Sequence, residues 1–322
     1  MKNSRWFKFS GGLVAALFAL GAGVAHAEMA GTKLIQAFGG ATEAESGGAS
    51  GSVAMAGVVT LNNNGGASQV SVTFAYQDND ADDEGFTCAL SQPSDLTYSF
   101  PNGLNAAGTM TLTVSNSDLC WQSNDPSNFA SGVGSVTFNI YARNGNATIV
   151  NTSTTLFNPF GESLAMPLSM AGSLTATGGA LNQISGLRLL NAAGGASDNF
   201  TDGGNLALAG LVNFTAKGGA SALDVTISYS DESVDNFSCE LTNPSDLSYS
   251  LKNGIGTLTL TVSQQDANTT CADPDGDNDY VGDSITFYLY SIGGQARMIA
   301  STSTFDDHQG DLIDSLSVVG SF

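Results

Sequence analysis

The chain has 322 residues, of which 42% are hydrophobic and only 12% charged, and its 30 acidic against 9 basic side chains give a formal net charge of −21. That length suits two domains, each with its own buried core. Nucleic acid and anionic lipid are excluded as partners, because both need clustered Lys and Arg for counterion release.

The first element in chain order is an export leader, residues 1–27. Lys2, Arg5 and Lys8 precede a short apolar run from Leu13 to Val24, and Ala25-His26-Ala27 has the small-x-small form of a cleavage site. Cleavage leaves Glu28 at the start and six basic residues against 30 acidic ones, a net −24. No later apolar run approaches the roughly 18 residues of a spanning helix, so no transmembrane segment is expected. The expected destination is secreted or cell-surface, with the periplasm as the alternative.

Beyond the leader the sequence repeats itself. Residues 31–41 return as 186–196, residues 93–99 return as 244–250, and Cys88 and Cys120 return as Cys239 and Cys271. The expected domains are 28–178 and 179–322, with the polar stretch 175–185 as their joint. Along the first copy, alternating apolar residues predict strands over 70–76, 96–100, 109–114, 136–141, 147–156 and 164–174. The second copy repeats them over 223–229, 247–251, 257–262, 285–290, 296–305 and 312–322. Asn102-Gly103 and Asn253-Gly254 are turn signals at equivalent places. No sustained helical periodicity appears outside the leader. Residues 32–38 and their copy 187–193 are a further strand, expected to complete its own sheet rather than a neighbour's.

The fold class that follows is all-β: tandem duplicated antiparallel β-sandwiches, Ig-like or jelly-roll-like, each with one intradomain disulfide. In an oxidising compartment the duplication selects Cys88–Cys120 and Cys239–Cys271 among the three possible pairings. Zinc is excluded for want of partners, since the cysteines are not closely paired and the chain beyond the leader holds one histidine, His308. The competing fold is an outer-membrane barrel, suggested by the terminal Phe322. It is disfavoured because the equivalent strand of the first copy ends in mid-chain.

Catalysis finds no positive signal. Nucleophilic chemistry needs a general base, and His308 has no counterpart in the first copy. No Gly-x-Ser-x-Gly elbow, phosphate loop or His-Glu-x-x-His pattern is present. A carboxylate-dependent hydrolase would need two close acids in one groove. Metal chemistry has more support: Asp273, Asp275, Asp277, Asp279 and Asp283 fall within eleven residues, and Asp78, Asp80 and Asp82 form a second acidic run. Alternating carboxylates in a tight turn suit Ca²⁺ coordination, and so many like charges call for counterions. A solvated acidic loop is the alternative. Trp121, Tyr288 and Tyr290 are the candidate aromatic platform for a glycan.

The expected function is a non-enzymatic secreted structural or cell-surface protein, resembling fibre, adhesin or surface-layer components in kind. It would act through protein, matrix or self contacts, with Ca²⁺ setting its loops and edge strands as the assembly surfaces. The alternative is a secreted module binding a glycan or small ligand.

Overall fold

The computed structural model describes residues 26, 29–42, 50–77, 85–101, 107–122, 134–156, 169–176, 178, 183–198, 203–231, 236–271, 280–305 and 312–322. The first unit contains β1 (Gly31–Thr42), β2 (Ser50–Leu61), β3 (Ala67–Gln77), β4 (Phe86–Leu90), β5 (Leu96–Ser99), β6 (Gly108–Val114), β7 (Leu119–Gln122), β8 (Gly134–Arg143), β9 (Asn146–Thr154) and β10 (Ser169–Ala176). The second contains β11 (Gly186–Asp198), β12 (Gly203–Thr215), β13 (Gly219–Asp231), β14 (Asn236–Leu241), β15 (Leu247–Lys252), β16 (Ile255–Thr261), β17 (Ser284–Ile292), β18 (Gln295–Ser303) and β19 (Ile313–Ser321).

Two all-β units with one disulfide each are what the repeat predicted. Both layers of each sandwich belong to one antiparallel sheet that rolls over and closes on itself near the start of β3 or of its copy β13, with β4 and β7 in the first unit and β14 in the second lying beyond the closure. In the first unit the order is β5-β6-β8-β9-β10-β1-β2-β3-β4-β7, and a bridge from Gly66 to Thr97 joins the β2–β3 turn to β5. In the second the order is β12-β11-β19-β18-β17-β16-β15-β13-β14, with β12 also paired to β13. There Gly219 opposite Ser248 makes the corresponding closure. Rolling lets each sheet bury one face against itself, so alternate residues fill a single interior. The first interior is packed by Ile35, Met55, Phe74, Phe86 and Phe138 among others, and the second by Leu190, Ile227, Phe237, Phe287 and Phe305.

The strand at the start of each copy does complete its own sheet. β1 lies between β2 and β10, and β11 between β12 and β19. Met29, two residues into the chain expected after cleavage, is wholly buried in the first core, and Ile184 holds the same place in the second. The Tyr249 hydroxyl accepts from the Ile184 N–H at 3.0 Å and donates to the Thr215 carbonyl at 2.8 Å. Its counterpart Tyr98 donates to the Asn62 carbonyl.

Asn253 and Gly254 both have positive φ, 54° and 81°, and Lys252 opposes Ile255 across them. This is the two-residue hairpin turn the sequence signalled. Asn102-Gly103 lies outside the described residues. One short helix, α1 (Gln264–Thr269), was not foreseen. Six residues are too few to show a periodicity, but the Ser263 side chain accepts from the Asp266 N–H and caps it. The first copy has β7 at this place. Among the described residues no helix is long and apolar enough to cross a membrane.

Candidate functional site: the outer sheet faces

Each cysteine pair has joined as the duplication implied. Cys88 and Cys120 sit directly opposite each other on β4 and β7, with Cα atoms 4.1 Å apart. Cys239 and Cys271 are 3.9 Å apart at Cα. Structural disulfides of this kind fit an oxidising, non-cytoplasmic setting.

The outward faces are where the two units differ. On β1–β3 the outward residues are unusually apolar and small, and they are buried. Leu34, Ala54, Ala56, Val58 and Ala75 form a third cluster with Tyr290, Ile292, Ile299 and Val319, which point outward from β17–β19 of the second unit. The sandwiches therefore stack face to face through a dry patch separate from both interiors. Within it, Thr73 Oγ1 lies 2.7 Å from the Tyr290 hydroxyl in a buried hydrogen bond. At the rim, Gln36 Nε2 donates to the Gly320 carbonyl at 3.5 Å. The approach is close enough to need glycine at position 195. A Cβ there would lie 2.5 Å from Ser52 Oγ and also strike the Gln77 side chain.

Two further outward faces remain open. The face of β11–β12 exposes Leu187, Leu189 and Leu211, and that of β8–β9 exposes Tyr141 and Val150. Leu189 lies directly opposite Leu211, so the two make one contiguous apolar spot rather than scattered exposures. Shallow depressions run along both faces, one lined by Asn191, Ala207, Ala209 and Thr226, the other by Tyr141, Thr148 and Ser173. These open surfaces are sheet faces, whereas the sequence had drawn attention to sheet edges.

The remaining sequence candidates are dispersed. Tyr290 is 3% exposed, and burial pushes its hydroxyl up to about 12. Tyr288 is half-buried beside it. Trp121, on β7 of the first unit, faces Thr87 across the strand pair and does not join the tyrosines in one cluster. Asp78, Asp80, Asp82, Asp273, Asp275, Asp277 and Asp279 lie outside the described residues, as does His308. Asp283 is half-buried, and its backbone N–H donates to the Tyr280 carbonyl at 3.1 Å. Among the described residues no cluster of three or more His, Cys, Asp or Glu could hold a metal.

A pair of close carboxylates in each unit escaped the sequence reading. Asp95 ends the short turn Pro93–Asp95, and its side chain is hydrogen-bonded to Asp118. Asp246 ends Pro244–Asp246 and bonds Asp266 in the same way. All four are buried. Asp246 and Asp266 can hydrogen-bond to each other only by holding a proton between them. Burial, and then Asp266, push Asp246 up to about 7. Burial opposes the charge on Asp266, yet hydrogen bonds from Asp246, Ser263 and Thr242 hold its carboxyl below the ordinary range. The available signal was Ser-x-x-Asp, which recurs at 115–118 and 263–266, paired with Pro-Ser-Asp in each copy.

Folding favours the protonated form of Asp246, so its contribution is full below the unfolded value near 4 and is lost as pH rises to about 7. Asp246→Asn keeps the hydrogen bond without the titration. It is expected to melt higher than the parent at about pH 8, by on the order of 1 kcal/mol once solvent screening is allowed for, and to lose that advantage near pH 4. Melting curves across this window check the sign; an advantage that grows toward acid would contradict it.

No protein-family model matches the chain, and no curated protein matches it significantly. Among solved structures, domains LG4-5 of the mouse laminin alpha1 chain align over 90% of this chain and 74% of that one, at 8% identity and a TM-score of 0.10. A likeness that slight carries no argument about fold or function.

Proposed function

We propose that the protein is a non-enzymatic structural component of the cell surface or extracellular space, acting through contacts made by its outer sheet faces. The observation that carries this reading is the pair of open apolar faces, of the same kind as the pair that holds the two units together. Exposed contiguous apolar surface on a disulfide-closed fold marks a contact site. The export leader and the duplicated, sulfur-stapled construction agree with it. The close carboxylate pairs, which a hydrolase would need in an open groove, are instead walled in by their own turns and serve to pin them.

The test is fractionation of producing cells with protease added to the intact cells. The expected result is a chain retained at the envelope and cleaved from outside. Recovery of the whole population as free protein, in the periplasm or the medium, would overturn the reading.

A further inference from the structure

Because the units are copies, every surface that one buries against the other has a counterpart on its sibling. Strand register fixes the correspondence. Leu34 and its partner Val58 on β1–β2 match Leu189 and its partner Leu211 on β11–β12. Thr73 on β3 matches Thr226 on β13, and Tyr290 and Ile299 on β17–β18 match Tyr141 and Val150 on β8–β9. The buried members are 0–4% exposed, and their counterparts are open: Leu189 at 64%, Tyr141 at 51%, Leu211 at 47%, Val150 at 41%.

We infer that copies of this chain associate head to tail, the outer face of β11–β13 on one copy seating on the outer face of β8–β10 on the next. The contact repeats between molecules the one already present within each. The inference rests on reading the protein as a contact-forming component and supplies its partner, a second copy.

The polar detail supports this more strongly than the apolar area does. Within the chain, Thr73 hydrogen-bonds the Tyr290 hydroxyl, with Ser71 two residues before it on the same face of β3. The open faces retain the threonine and the tyrosine, Thr226 and Tyr141, and carry Asp224 where the first unit has Ser71. Two residues beyond Tyr141 on β8, Arg143 stands where β17 has Ile292, a charge of opposite sign to Asp224. A surface kept only for solubility has no reason to preserve both halves of a hydrogen bond it does not make.

The matched faces differ from each other, so the association is heterologous. Each copy has one donor face and one acceptor face, and growth either closes a ring or continues as a filament. It is also weaker than the internal contact. Val150 is smaller than Ile299, and free copies lack the high effective concentration that the chain link gives the two units. Association is accordingly reversible and dependent on concentration.

Sedimentation velocity on the purified chain without its leader tests this. The expected result is a sedimentation coefficient that climbs from micromolar to near-millimolar protein. Leu189→Asp with Leu211→Asp blocks one face, and Tyr141→Ala with Val150→Asp blocks the other; these side chains are exposed, and unchanged melting confirms folding. Each variant alone is expected to stay monomeric, while their equimolar mixture forms a one-to-one dimer and nothing larger, through the single intact pair of faces. Thr226→Val or Tyr141→Phe, which delete one hydroxyl, are expected to weaken association of the parent roughly fivefold. A mixture that stays monomeric overturns the proposal, as does a variant that dimerises by itself. A parent that is monomeric throughout yet retained at the cell surface overturns this inference alone. Copies that associate but are never surface-held overturn the functional reading instead.

Discussion

Leu34→Asp is expected to cost about 3 kcal/mol or more, whereas Leu189→Asp, at the same place in the repeat, is expected to change monomer stability by no more than about 0.5 kcal/mol. Leu34 is 1% exposed, opposite Val58 and in the patch shared with the second unit. A carboxylate there has no partner and no water, so the units must part to hydrate it. The same carboxylate at Leu189 stands in solvent. Beyond the size of the loss, Leu34→Asp should split one melting transition into two, because a charged patch no longer couples the sandwiches. Calorimetry on the two variants at low protein concentration decides the matter. Equal losses at the two positions would mean that the face-to-face contact is not what joins the units.

Removing a disulfide has the next largest expected effect. Cys239→Ala with Cys271→Ala opens a tie across 32 positions, which the loop-entropy argument values at about 3–4 kcal/mol, or about 10 °C in the melting temperature of a unit this size. Cys88→Ala with Cys120→Ala should do the same to the first unit. Each pair is expected to lower its own unit's transition most. Calorimetry would refute the assignment if both double variants melted within about 2 °C of the parent.

The features legible in the sequence were those that leave a period or a repeat. The alternation at 70–76 and 223–229 gave β3 and β13, and the duplicated cysteines gave the bridges without ambiguity. β2 escaped notice although it lies at the centre of the contact between the units, and so did its copy β12. Their outward residues, Ala54 and Ala56 in one and Ala207 and Ala209 in the other, are apolar where an exposed strand should be polar, which blurs the period of two. In β2 that blurring was itself the signal, because both faces of the strand are covered. Tyr290 illustrates the limit of single-sequence reasoning. Its alternation placed it correctly on the outward face, but no local pattern says that another domain covers that face. The buried acid pairs were hidden for a different reason. Among 30 acidic residues those at 95, 118, 246 and 266 stand out only when the two copies are laid side by side.

The bridge between Cys88 and Cys120 also has a bearing on how the molecule must be handled. It fastens β7, a strand of four residues at the outer margin of the first sheet, to β4. A ribbon so short has little holding it once the sulfurs part, and its departure uncovers a row of main-chain donors and acceptors along β4. Under reductant the first sandwich would thus acquire a raw, adhesive border and clump indiscriminately. The scaffold is made for surroundings in which thiols do not persist, and preparations that include dithiothreitol would report on clumping instead of on the native molecule.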